Sequence, residues 1–126
     1  MLSMKNNPVG WFEIYVQDMP RARGFYEQVF QITLEALPGT QHEMWSFPMA
    51  AERCGSPGAL IKIEGCPSGP GGTLVYFSCE DCAVEEARAI SAGGRVFKPR
   101  FSIGPYGFIS LVFDSEGNLI GLHSRK

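Results

Sequence analysis

Val16-Gln17-Asp18-Met19-Pro20-Arg21-Ala22-Arg23-Gly24-Phe25-Tyr26-Glu27-Gln28-Val29-Phe30 is the stretch that decides the fold. Asp18 offers a carboxylate to the unpaired amides of a helix start. Pro20 falls in the first turn, where its missing N–H costs nothing. Ala22, Phe25, Tyr26, Val29 and Phe30 recur at i, i+3, i+4, i+7 and i+8, which predicts an amphipathic helix ending near Gln31, its aromatic run in the core. Upstream, residues 9–17 (VGWFEIYVQ) are aromatic and β-branched and read as a strand. Downstream come three short strand-like runs, 32–37, 42–47 and 59–64. Pro38-Gly39 and a loop holding Pro48, Gly55, Pro57 and Gly58 separate them. The order is β-α-β-β-β.

The same order returns in the second half. A strand over 73–79 (TLVYFSC) leads to a cap at Glu80 or Asp81 and a helix whose face is Val84, Ala87 and Ile90. Gly93-Gly94 stops the helix, and strand-like runs follow near 95–98, 107–113 and 118–123. Residues 65–72, rich in glycine and proline, form a connector, and Asp114-Ser115-Glu116-Gly117-Asn118 closes a tight hairpin. An internal repeat of about half the chain organises the molecule. We read 1–126 as a single domain, with a first module over 8–64 and a second over 73–124.

The chain has 126 residues, 44% hydrophobic and 19% charged, with a net charge of −2, which suits one compact domain with a real core. The near-neutral balance supplies no basic stripe for nucleic acid or an anionic bilayer. No apolar run approaches the ~18 residues of a membrane span, and Met1–Asn7 lacks an apolar signal region, so the expectation is a cytoplasmic protein. Cys54, Cys66, Cys79 and Cys82 are accordingly expected as reduced thiols. Cys79-Glu80-Asp81-Cys82 has C-x-x-C spacing, but two intervening acids disfavour a thiolate and no second pair completes a zinc set.

Two motifs carry a resemblance. A strand running into Val16-Gln17-Asp18-Met19-Pro20 and then Phe25-Tyr26-Glu27-Gln28-Val29-Phe30, together with the closing Phe113-Asp114-Ser115-Glu116-Gly117-Asn118-Leu119-Ile120-Gly121-Leu122, resembles the vicinal-oxygen-chelate family of glyoxalase, bleomycin-resistance and extradiol-dioxygenase proteins. The resemblance spans about residues 8–124. It implies an α+β fold of paired βαβββ modules, forming a curled eight-stranded mixed sheet around a cavity, commonly in a homodimer. It does not imply one reaction.

Strand alternation then sorts the side chains. Phe12, Ile14 and Val16 should meet the first helix, leaving Trp11, Glu13 and Tyr15 opposite. Val75, Phe77 and Cys79 should meet the second, leaving Leu74, Tyr76 and Ser78. Run 59–64 offers Leu60, Lys62 and Glu64 on one face, and the last strand offers Leu119, Gly121 and His123. The resemblance turns these sets toward the cavity. The expected substrate-binding residues are Trp11, Glu13, Lys62, Glu64, Tyr76 and His123, with Tyr15, Leu60 and Leu74 as walls.

In metal-dependent members of the family, four strands each supply a His, Gln or Glu. The matching positions here are Trp11, Lys62, Leu74 and Gly121, which offer no useful donor atoms, so we expect no metal and no cofactor. With only His42 and His123 in the chain, a two-histidine iron site is a poor fit. A shifted divalent site would use Glu13, Glu64 and His123, each two residues beyond an inherited position. The leading expectation is therefore a protein that binds a small organic ligand without metal. The alternative is a lyase of the lactoylglutathione lyase type, an isomerase or a dioxygenase-type enzyme, with Glu13 or His123 moving a proton. A dimeric scaffold with a filled cavity is a third. Glu13 and Lys62 could instead satisfy each other as an ion pair. Residues 101–108, with two glycines among aromatics, read as a lid or rim, or as a patch for a second subunit.

Overall fold

The computed structural model describes residues 7–51 and 55–126. Cys54 and the opening hexapeptide lie outside the described residues. The chain divides into two compact units: Trp11–Leu74, and Val75–Lys126 joined by the segment that ends at Gly10. In order, the elements of the first half are β1 (Val9–Tyr15), α1 (Met19–Phe30), β2 (Glu35–Ala36), β3 (Glu43–Ser46) and β4 (Gly58–Lys62). Those of the second half are β5 (Thr73–Ser78), α2 (Cys82–Ser91), β6 (Arg95–Ser102), β7 (Phe108–Phe113) and β8 (Leu119–Ser124).

The two halves share one topology. Strands run β2-β3-β4-β1 in the first half, with β1 parallel to β4 and the remaining pairs antiparallel. They run β5-β8-β7-β6 in the second, with β5 parallel to β8 and the rest antiparallel. The fold is α+β, built of two βαβββ modules of mixed sheet. Among the described residues no helix is long and apolar enough to cross a membrane.

Local chemistry fixes the helix starts. The Asp18 carboxylate accepts the Arg21 amide at 3.1 Å, and that of Asp81, rather than Glu80, accepts the Ala83 amide at 3.1 Å. The β7–β8 hairpin is closed the same way. Asp114 accepts from the Asn118 amide at 2.9 Å, from its Nδ2 at 3.1 Å and from the Glu116 amide at 2.8 Å. These bonds, that of the Asn118 amide foremost, hold the Asp114 carboxyl below its usual range. Gly117 turns the chain at φ +84°, a conformation open to glycine at little cost.

The helices differ from expectation in the faces they bury. On α1 the inward line is Met19, Ala22 and Tyr26, packed with Val16, Leu34 and Leu60. Phe25 and Phe30, expected in the core, are 58% and 61% exposed. They pack instead on Tyr26, Phe25 edge-on at 5.1 Å and Phe30 stacked at 6.2 Å between ring centroids. On α2 the expected face of Val84, Ala87 and Ile90 points to solvent, and Cys82 and Ala89 face the core with Val112 and Leu122. A polar anchor sets that rotation: Glu86 Oε1 accepts the Ser110 hydroxyl at 2.7 Å and the Arg100 amide at 2.8 Å.

Residues 101–108 are no free lid. Phe101 and Ser102 end β6 in register with Ile109 and Phe108, and the Ile103 amide donates to the Gly107 carbonyl at 2.8 Å. The segment is the tip of a paired hairpin.

Candidate functional site

In the first unit, β1 turns Phe12 and Ile14 toward α1, with the Phe12 ring 5.6 Å from that of Phe47. Trp11, Glu13 and Tyr15 therefore face the other way, as alternation requires. The register between β1 and β4 pairs Glu13 with Ala59 and Tyr15 with Ile61, which share this face; Ile14 pairs with Leu60 on the helix side. Across β3, Ser46 and Met44 join Ala59 and Ile61.

This register corrects three expectations. Leu60 is not a wall of the open face but a wholly buried member of the α1 core. Lys62 shares the parity of Leu60, stands in register with Glu43 and is exposed, so it does not meet Glu13 across that face. Glu64 lies past the end of β4, in an exposed turn.

What remains on the face is a compact polar centre in apolar surroundings. Glu13 is only 8% exposed, beside Ala59 at 0% and Ile61 at 3%. The Trp11 indole Nε1–H donates to Glu13 Oε2 at 3.1 Å. A buried carboxylate is costly unless hydrogen-bonded, and the indole supplies one such bond. Tyr15 reports the same environment. Burial first, then the negative charge of Glu13 and that of Cys66, push its phenol up to about 12.

That shift carries a prediction. A folded phenol that keeps its proton up to about pH 12, against an ordinary value of 10.0, makes the unfolded state bind fewer protons in between. Stability contributed by Tyr15 is thus complete below pH 10 and lost as pH climbs toward 12. Denaturant titrations across this window should show a falling stability that Tyr15→Phe flattens; an unchanged slope in the variant would contradict the assignment.

In the second unit, Phe77 and Cys79 point to the α2 side with Leu122 and Ile120. Tyr76, in register with Gly121, and Ser78, in register with His123, occupy the opposite face. Tyr76 is 7% exposed, and a Cβ placed on Gly121 would land on its ring. His123 Nε2 lies 2.6 Å from the Tyr106 carbonyl oxygen. A carbonyl only accepts, so Nε2 is the donor in this bond. Cys66, Cys79 and Cys82 are free thiols. Burial, with Glu85 beside it, pushes the Cys79 thiol up to about 11, which opposes a reactive thiolate.

The positions that the sequence resemblance assigns to metal ligands hold Trp11, Leu74 and Gly121. On β4 the residues of the corresponding face are Ala59 and Ile61 instead of Lys62. Indole, isobutyl, methyl, sec-butyl and hydrogen supply no lone pair for a cation, so these residues do not fit a metal ion. Nor do Glu13, Glu64 and His123 make a shifted site, for no three His, Cys, Asp or Glu residues are grouped to hold an ion among the described residues. Tyr106 as the carbonyl partner of His123 carried no signal in the sequence. The Trp11–Glu13 bond did: alternate residues of one strand share a face.

The fold is well represented among solved structures. A hypothetical protein from Bacillus halodurans C-125 superposes with a TM-score of 0.70 at 13% identity, covering 97% of this chain and 96% of its own. Methylmalonyl-CoA epimerase from Mycobacterium tuberculosis gives 0.67 at 17% identity, covering 100% and 93%. A variant of the Streptomyces coelicolor methylmalonyl-CoA epimerase in complex with 2-nitronate-propionyl-CoA gives 0.66 at 16%, covering 93% of each. The sequence matches none of the curated proteins at a significant level. Residues 9–122 match the family model, and the chain belongs to the Glyoxalase/Bleomycin resistance protein/Dioxygenase superfamily.

Proposed function

We propose that this chain binds a small, partly apolar organic molecule, without a metal ion, on the face of the first module that carries Trp11 and Glu13. The observation behind the reading is the buried Glu13 carboxylate, held by the Trp11 indole among apolar neighbours. Such a carboxylate is an acceptor for a ligand hydroxyl, amide or ammonium group, and the indole is a flat surface for its body. In the second module, Tyr76 and His123 hold the corresponding strand face and are the ligand-contacting side chains proposed there. Lys62 and Glu64, turned elsewhere, have no part.

Thermal-shift screening of a small-molecule library, followed by calorimetric titration of the compounds that stabilise the protein, tests this. Glu13→Gln should weaken binding by roughly 10- to 100-fold, the worth of a hydrogen bond to a charged group. Trp11→Ala should cost about 3- to 10-fold, as loss of an aromatic contact does. Lys62→Ala and Glu64→Ala should change nothing. Retained affinity in the Glu13 and Trp11 variants would defeat the proposal.

A second reading makes Glu13 a general base on a carbon acid, supported by the fold's likeness to methylmalonyl-CoA epimerases. Deuterium uptake from solvent into a CoA thioester, abolished by Glu13→Gln, is its expected result.

A further inference from the structure

β6 is the outermost strand of its unit and carries three cations, Arg95, Lys98 and Arg100, with no acid among them. Their positions follow from two irregularities in the pairing with β7. Arg95 pairs with Phe113 and Val96 with Val112, but Lys98 pairs with Leu111, so Phe97 is an extra residue. A second shift falls between Lys98 and Phe101, which pairs with Ile109. In a regular strand Lys98 would share the parity of Val96, which packs on α2. The first bulge turns Lys98 to the face of Arg95, and the second keeps Phe101 there too. Bulges commonly re-aim side chains at functional sites.

The outcome is two cations on one strand face, each seated on a ring. The Arg95 guanidinium lies 4.2 Å over Phe113, and the Lys98 ammonium 4.0 Å over Phe101. Phe97 meets Phe113 edge-on, with ring centroids 5.6 Å apart, and is itself 59% exposed, a large apolar surface left to solvent. The third cation gives the contrast. Arg100 is turned the other way, over Phe108, and its Nε lies 3.8 Å from Asp81. Among the described residues, neither Arg95 nor Lys98 has a carboxylate within ion-pair distance. Asp114, next to Phe113, spends its carboxylate on its own turn.

We propose that the Arg95–Phe97–Lys98 cluster is a binding site for a planar organic anion. A guanidinium stacked on a ring keeps its N–H edge free, and that edge matches a carboxylate or phosphate in two parallel hydrogen bonds. Lys98 adds a second charge, and the exposed Phe97 ring takes the flat body of the ligand. Phe101 stands in register with Ile109, and Ile109 with His123, so this site occupies the β6 edge of the strand face that carries His123 and uses none of the side chains of the first module.

The test is a proton–nitrogen NMR titration of the labelled full chain with 2-naphthoate, its neutral amide, adenosine monophosphate and inorganic phosphate. Shifts from 2-naphthoate or the nucleotide should centre on residues 95–101 and 113, and those from the neutral amide should require at least fivefold higher concentration. Stronger binding of the nucleotide than of 2-naphthoate makes the anion a phosphate; the reverse order makes it a carboxylate. Inorganic phosphate, with no ring, should bind more weakly than the nucleotide. Arg95→Gln with Lys98→Gln should weaken binding about tenfold, and Phe97→Ala, at an exposed position, should weaken it without loss of folding. Equal binding of 2-naphthoate and its amide, or full affinity in these variants, overturns the site. Shifts confined to Trp11 and Glu13 also overturn it while supporting the first-module reading.

Discussion

Substituting glutamate for Gly121 is expected to cost the protein several kcal/mol and to leave it without a metal site. The β8 position is where the family resemblance would look for a ligand, yet the Tyr76 ring already occupies the space that a side chain at 121 would need. Overpacking of this kind costs about 1–3 kcal/mol, and a carboxylate pressed against a buried ring without a partner adds to it. The melting temperature should drop by roughly 10 °C. Combining Tyr76→Ala with Gly121→Glu should recover part of the loss, because the ring is the obstacle. A single Gly121→Glu variant as stable as the parent would show that Tyr76 does not fill this place.

Leu60→Ala is expected to lose about 2–5 kcal/mol, the range for truncating a fully buried leucine whose cavity cannot collapse. Leu60 is wholly buried in one cluster with Val16, Met19 and Leu34, which come from the segment before α1, its first residue and the segment before β2. Equilibrium denaturation measures the loss. The same experiment separates the two readings of β4. If Leu60 lined the ligand face, its truncation would alter ligand affinity more than stability. The register predicts the opposite.

The legible parts of this fold were those written in neighbouring residues. Asp18 and Asp81 cap helices through amides two and three positions on, and Asp114 folds its hairpin through Asn118 four positions on. The alternation of β1, β5 and β8 also emerged correctly, because each has one face packed on a helix. β4 carried no such signal. Ala59, Leu60 and Ile61 are all buried, so the strand is apolar on both sides and only its register with β1 decides which residues face Glu13. Reading Leu60 and Lys62 onto that face was the consequence.

The rotation of α2 was hidden for a different reason. Its anchor, Glu86, finds partners 14 and 24 residues away, and a glutamate facing inward is invisible to a hydrophobic pattern. Val84, Ala87 and Ile90 therefore looked like the buried stripe although they point outward. On α1, Phe25 and Phe30 lie on the shoulders of the line from Met19 through Ala22 to Tyr26, and they cover one another's partner instead of the core. The two bulges of β6, which set the face of Lys98, leave no mark that periodicity can read.

The central claim is that the donor atoms needed for a metal are missing from the face around Glu13. The direct measurement is elemental analysis of protein purified without chelator, combined with thermal unfolding in the presence of nickel, zinc, manganese or iron. A cation that binds only the native state must raise the melting temperature as its concentration passes its dissociation constant. The account predicts substoichiometric metal and unchanged melting with all four. One tightly held ion per chain, with a stabilisation that Glu13→Gln abolishes, would contradict it.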